Sequence, residues 1–62
     1  MCDTTVYIDK AGQMEEVLKD VVSLAVDGQE LVLTTLLGDT KQLKGKIKHI
    51  DFLKHTVTVE PV

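Results

Sequence analysis

The chain has 62 residues, a single cysteine, and ten acidic residues against seven lysines, so that its formal charge is −3 at pH 7. A chain this short forms one domain, residues 1–62, and its core is small because folding buries only about 60% of the surface of the unfolded chain. One cysteine cannot form an internal disulfide. Added stabilisation must therefore come from a second subunit, a metal ion or both. The acidic balance argues against a general affinity for nucleic acid or for anionic membranes.

The first predicted strand is residues 4–8, which are all β-branched or aromatic, and residues 9–12 (DKAG) predict the turn after it. The next segment is ambiguous. One set of its apolar residues has the spacing of a helix: Met14, Val17, Leu18, Val21 and Ala25. A second set alternates as a strand does: Val22, Leu24 and Val26.

The dipeptide Asp27-Gly28 lies between two apolar runs and indicates a two-residue hairpin turn. We therefore expect residues 20–26 and 30–37 to be hairpin partners, with one short turn or helical piece before them. Gly38-Asp39 ends this hairpin.

A further strand is predicted from about residue 40, because Leu43 and Ile47 fall on one face and the intervening lysines on the other. The alternation changes phase near Lys48-His49, which predicts a bulge, and Gly45 is a second expected bend. The last strand, residues 56–60, alternates cleanly and ends at Pro61. Five short, bent strands predict an all-β fold, a small barrel of the Sm-like or SH3-like kind.

No catalytic constellation is visible in the sequence. There is no serine–histidine–acid arrangement, no glycine-rich phosphate loop and no paired-cysteine zinc spacing, and the only serine, Ser23, lies in an apolar run. We therefore expect a protein that is not an enzyme. Charged residues interrupt the first thirty positions, and the longest apolar stretch, residues 31–37, is far short of the ~20 residues that span a bilayer. We expect a soluble cytoplasmic protein, since a lone thiol suits a reducing compartment.

The position of Cys2 allows a specific metal chemistry. With Met1 retained, the α-amine, the amide nitrogen of Cys2 and its thiolate can close two fused chelate rings around one ion, and nickel(II) and copper(II) suit such in-plane donors. With Met1 removed, the cysteine amine and thiolate form an N,S chelate, and two chains would supply N₂S₂. The alternative interpretation is that Cys2 is merely a small residue near the end of the chain and binds no metal.

Several segments together resemble the CooT family of small nickel-binding proteins: Met1-Cys2, residues 26–39 (VDGQELVLTTLLGD), residues 44–52 (KGKIKHIDF) and residues 57–60 (VTVE). The resemblance covers essentially the whole chain. It implies an Sm-like fold, a homodimer, Ni²⁺ bound through Cys2 with the Met1 amine, and a role in nickel delivery during carbon monoxide dehydrogenase maturation, with a maturation protein as partner.

His49 and His55 are the remaining candidate ligands. They are six residues apart, which is no recognised metal spacing, although either could supply a distant fourth ligand across a dimer. The alternative function is an Sm-like RNA-binding or protein-interaction module, which would use the clustered lysines Lys41, Lys44, Lys46, Lys48 and Lys54. The interpretation that we prefer for these lysines is a solvated strand face that guards an exposed edge against aggregation.

Overall fold

A computed structural model describes residues 3–62, and this part of the chain consists of strands and turns without a helix. The strands in chain order are β1 (Thr4–Lys10), β2 (Gln13–Asp27), β3 (Glu30–Thr35), β4 (Thr40–Lys44), β5 (Lys46–Asp51) and β6 (Thr56–Glu60). The predicted all-β class is confirmed.

All six strands belong to one sheet, in the order β4-β3-β2-β1-β6-β5. Neighbouring strands are antiparallel except for β1 and β6, which run parallel. The long strand β2 joins the two halves of the sheet, because its first half pairs with β1 and its second half pairs with β3. The two ladders meet at Val21, which is aligned with Thr4 on one side and with Thr35 on the other.

Strand β2 bends where the two ladders meet. Asp20 has a φ of 57°, and the register shifts between Val21 and Ser23 on the β3 side and between Thr4 and Val6 on the β1 side. A bulge of this kind bends a strand and increases its twist. The sheet can therefore fold over on itself and enclose one apolar core.

The core is formed by residues that alternate along the strands. Its buried members are Val6, Val21, Leu31, Leu33, Val57 and Val59. Leu31 and Leu33 are two residues apart in β3, as are Val57 and Val59 in β6, so each strand places one face inward. Burial of a single Leu or Val side chain contributes about 1.5–3 kcal/mol, which makes this small core the main source of stability within one chain.

The sheet has six strands where five were predicted, because Gly45 divides one predicted strand into β4 and β5. A Cβ atom at Gly45 would lie 2.7 Å from the backbone oxygen of Glu60, so only glycine permits this close approach. Gly45 N also donates to the Gln29 oxygen at 3.0 Å. Strands β4 and β5 lie at opposite margins of the sheet, and within residues 3–62 no ladder joins them. The sheet is thus bent without being closed into a barrel.

Residues 13–19 are the first half of β2, so the predicted short helical piece is wrong. The adjacent strand β1 pairs with this segment from Lys10↔Gln13 to Val6↔Leu18, and this tertiary pairing outweighs the helical spacing of the apolar residues. The hairpin after β2 turns at Gly28-Gln29, one residue later than expected, because Asp27 still pairs with Glu30. The register shift between Ile47 and His49 confirms the predicted bulge.

Candidate functional site

The predicted nickel ligands Met1 and Cys2 lie outside the described residues. The structure does describe the segment that follows them, and it fixes the start of β1 beside the turn between β5 and β6. Thr5 N donates a hydrogen bond to the His55 oxygen at 3.1 Å, and Thr5 is aligned with Thr56 in the parallel ladder. The chain therefore enters the sheet next to His55.

An apolar groove of ≈ 340 Å³ lies beside the start of β1. The second half of β2 forms one wall, and the ends of β5 and β6 form the other. Its apolar lining includes Val22, Leu24, Val26, Ile47, Ile50 and Phe52. Thr4 and His55 line the same groove. Phe52 is 82% exposed and Val26 is 62% exposed, so the groove presents much of its apolar surface to solvent.

The turn between β5 and β6 is held by the Asp51 carboxylate. One of its oxygens accepts hydrogen bonds from the Leu53 and Lys54 amides, both at 3.0 Å. The Lys54 hydrogen bond is the largest of the effects that lower the pKa of Asp51, because it stabilises the ionised carboxylate. His55 follows with a φ of 55° and leads the chain into β6. The turn thus has a defined backbone beside the start of β1.

The two candidate histidines occupy different places in the fold. His55 lines the groove and contacts β1 through its backbone oxygen. His49 is aligned with Thr58 in the β5–β6 ladder, and β6 separates it from β1. Of the two, only His55 contacts the start of β1.

The described residues do not by themselves form a complete set of metal ligands. Within residues 3–62 there is no group of three or more His, Cys, Asp or Glu side chains that could hold an ion.

The same residues contain no helix with the length and apolarity needed to cross a bilayer.

The lysines at the sheet margins are interleaved with carboxylates. Lys44 is aligned with Glu30 and Lys46 with Glu60. Lys48 forms a salt bridge and hydrogen bond with Asp9, which raises the pKa of Lys48. This arrangement reduces the positive potential that phosphates would meet, so the structure adds no support for the RNA-binding alternative.

The same salt bridge acts on the carboxyl group of Asp9. The hydrogen bond from Lys48 is the main cause that lowers the Asp9 pKa, and the Gly12 amide adds to it by donating to the other carboxylate oxygen at 2.9 Å. Asp9 thereby ties the β1–β2 turn to β5. Because both partners serve this structural contact, we assign neither of them to a functional site.

Two features of this site were not predicted from the sequence. The first is the apolar groove, and the second is the proximity of His55 to the start of β1, which depends on the parallel β1–β6 pairing. One sequence signal was available for the groove, since Phe52 and Leu53 are large apolar residues that lie shortly before the last predicted strand, residues 56–60. They are 82% and 89% exposed. No short-range pattern indicates which strand is the neighbour of β1.

The fold of residues 3–62 defines a small all-β protein, and its sequence has its single cysteine at position two. The model of the family described as CO dehydrogenase accessory protein CooT matches residues 1–60. The chain belongs to this CooT family. Proteins of the family are accessory to CO dehydrogenase and are not themselves catalysts, which confirms the prediction that the chain is not an enzyme.

Two individual proteins are similar to this chain. A crystal structure assigned to CooT of Carboxydothermus hydrogenoformans matches it with a TM-score of 0.90 and 26% identity, over 98% of each chain. An uncharacterized protein of Archaeoglobus fulgidus is 28% identical over 43 residues, which are 69% of this chain and 96% of that protein. The fold and the family membership therefore agree across nearly the whole length.

Proposed function

We propose that the protein is a nickel(II) carrier or chaperone for carbon monoxide dehydrogenase maturation and that it takes the ion at its amino terminus through Cys2. The observation that carries the proposal is a cysteine at position two in a chain that matches the CO dehydrogenase accessory family over residues 1–60. The ion is cargo, and the acceptor is a maturation partner or the enzyme itself. A cytoplasmic location keeps the lone thiol reduced.

The donor set follows from the chemistry of the first two residues. The Met1 α-amine, the Cys2 amide nitrogen and the Cys2 thiolate supply three strong in-plane donors, which suit nickel(II) better than zinc(II), since zinc prefers a tetrahedron. The free amine titrates near ~7.7–8 and the free thiol near ~8.5, and both must lose a proton before they bind metal. Nickel affinity should therefore fall as the pH is lowered.

His55 is our choice for an auxiliary ligand. Cys2 is three residues ahead of Thr5, and three residues span about 10 Å at most when extended. Thr5 is hydrogen-bonded to the backbone of His55, so the imidazole lies within reach of an ion held near the chain start. A neutral imidazole is a good fourth donor for nickel(II).

We further propose that the carrier is a homodimer. One chain encloses only a small core, and the groove beside β1 leaves Val22, Val26 and Phe52 more than half exposed. Apolar surface of this kind is typical of an interaction site, and a second subunit is a common source of stability for chains of this size.

The first test compares nickel titrations of the wild type and Cys2→Ser, on protein whose amino terminus has been checked for Met1. We expect Cys2→Ser to weaken nickel binding by more than about 100-fold, since a directly bound donor contributes at least as much as the outer-shell groups that orient it. The neighbouring Asp3→Ser variant is the control and should bind as the wild type does. Equal affinity in the wild type and Cys2→Ser would refute the proposal.

The second test separates the two histidines. His55→Ala should lower nickel affinity by about tenfold and shift the nickel absorption bands, because one in-plane donor is replaced. His49→Ala, which removes the histidine that β6 separates from β1, should leave both the affinity and the spectrum unchanged. If the two variants behave alike, His55 is not a ligand, whereas the result for Cys2 stands independently.

A further inference from the structure

The turn between β5 and β6 has a histidine at a position that glycine adopts with less strain. Asp51 and Thr56 are the pair of the β5–β6 ladder that closes this turn, so the turn consists of residues 52–55. Its last residue, His55, has a φ of 55°. A residue other than glycine is uncommon in this left-handed conformation, which glycine adopts freely. The turn thus keeps an imidazole where the backbone favours no side chain.

The backbone of this turn is held at both ends. One oxygen of the Asp51 carboxylate accepts hydrogen bonds from the Leu53 and Lys54 amides, both at 3.0 Å. At the other end, the His55 backbone oxygen accepts a hydrogen bond from Thr5 N at 3.1 Å. The backbone from which the imidazole projects is therefore fixed between the Asp51 carboxylate and the start of β1.

Packing does not explain why the last position of the turn is a histidine. His55 is exposed, whereas the next two residues, Thr56 and Val57, are half-buried and buried. The His55 side chain lines the groove beside the start of β1. A left-handed backbone at a residue other than glycine persists where the surroundings impose it, and such residues cluster at ligand-binding sites. This combination favours a role for the imidazole as a ligand.

We propose that Asp51 is a positioning residue for nickel(II) binding, because it fixes the turn that holds the His55 imidazole beside the start of β1. This inference rests on the proposed function for the ion and for His55 as a ligand, and it adds the residue that orients this ligand. Asp51 itself does not bind the ion. Groups that orient a metal ligand without touching the metal typically change metal affinity by about 10–100-fold.

The negative charge of Asp51 is the competing explanation, since a carboxylate near the site would also attract a cation. The two explanations differ for Asp51→Asn. Asparagine loses the charge but keeps an oxygen that accepts the same two amide hydrogen bonds, and it is common in turns of this kind. Asp51→Ala loses both the charge and the acceptor. Comparing the two variants therefore separates positioning from charge.

The first measurement is a nickel titration with absorption spectra of these variants. Asp51→Ala should weaken nickel binding by about three- to tenfold and shift the nickel bands, since its loss cannot exceed the roughly tenfold loss expected on removal of His55 itself. Asp51→Asn should stay within about twofold of the wild type, with unchanged bands. Asp39→Ala is the matched control and should bind as the wild type does, because Asp39 is an exposed aspartate in the β3–β4 turn. A loss with Asp51→Asn equal to that with Asp51→Ala would assign the effect to charge and overturn the inference.

A double-mutant cycle shows whether Asp51 acts through His55. His55→Asn removes the imidazole, and asparagine tolerates the left-handed backbone of this position. In the His55→Asn background, Asp51→Ala should cause no further loss of nickel affinity and no further change in the spectrum. A general structural role for Asp51 predicts the same loss in both backgrounds. Additive losses would therefore overturn the inference.

Hydrogen exchange tests the positioning without nickel. In Asp51→Ala, the amides of Leu53 and Lys54 should exchange faster, because they lose their acceptor. The Thr5 amide should also exchange faster, because its acceptor is the His55 oxygen at the end of the same turn. Unchanged exchange at Thr5 would mean that the turn stays in place without the carboxylate and would overturn the inference.

The outcomes separate this inference from the proposed function. If His55→Asn weakens nickel binding but Asp51→Ala does not, Asp51 does not position the ligand, while His55 and Cys2 remain ligands of the carrier. If the wild type binds no nickel, the carrier function fails and this inference fails with it.

Discussion

Gly45 shows how one residue can determine the course of the chain. Its φ lies outside the left-handed region, so the reason for glycine here is space and not backbone freedom. A Cβ would meet the Glu60 backbone oxygen at 2.7 Å and the Leu43 side chain at 3.4 Å. The backbone oxygen belongs to the last residue of β6, which the β5–β6 ladder holds in place. The neighbour therefore has little freedom to move away.

Gly45→Ala should destabilise the protein by about 1–3 kcal/mol, the usual cost of forcing an added methyl group into a packed site. Where space is available, a change from glycine to alanine stabilises a protein by about 0.4–1 kcal/mol, because it lowers the conformational entropy of the unfolded chain. The sign of the measured change in stability therefore shows whether the site at Gly45 is crowded. Urea unfolding at a fixed protein concentration measures it, and Lys46→Ala, at the exposed neighbouring residue, is the control. A Gly45→Ala protein at least as stable as the wild type would contradict the close contact.

At the scale of the elements, the strands that bury one face were predictable. Strands β3 and β6 alternate between buried and half-buried residues along their whole length. Their predicted positions, residues 30–37 and 56–60, overlap the observed Glu30–Thr35 and Thr56–Glu60. Period-two burial leaves a direct trace in the sequence, because each alternate side chain must be apolar.

The first half of β2 has no such alternation of apolar residues in its sequence. Six of its first eight residues are exposed, from Gln13 to Asp20, so burial does not impose an alternating pattern on them. Their helical spacing is a local property, whereas their strand conformation depends on β1, which lies beside them in the sheet. The bend at Asp20, with a φ of 57°, is likewise imposed by the change of partner from β1 to β3.

In the candidate site, too, some features follow from the local sequence and others only from the tertiary fold. The donor chemistry of Cys2 and the Met1 amine depends only on their position in the chain and could be proposed from the sequence. The choice of His55 over His49 could not, since it depends on the parallel β1–β6 ladder and on the Thr5–His55 hydrogen bond. Six residues separate the two histidines along the chain, and only the fold gives them different neighbours.

At the scale of the whole molecule, the proposed nickel ligand Cys2 precedes, by only two residues in the chain, a residue of the apolar groove. This residue is Thr4, and the groove contains the exposed apolar side chains from which we propose a homodimer. One ion shared by two Cys2 thiolates would be a bond between the subunits. Because coupling between two binding events is reciprocal, an ion that binds the dimer more tightly must also strengthen the dimer by the same factor.

Nickel(II) should therefore tighten the dimer. We expect the wild-type dimer dissociation constant to fall by at least about tenfold when nickel is added, which corresponds to a coupling of about 1.4 kcal/mol, with one ion bound per dimer. Sedimentation analysis with and without nickel measures the first quantity, and native mass spectrometry measures the second. Cys2→Ser is the control, and its dimer should not respond to nickel. Two independent ions per dimer and an unchanged dissociation constant would show that each chain holds its own ion, so that the fourth donor comes from the same chain, where His55 is the nearest histidine to the start of β1.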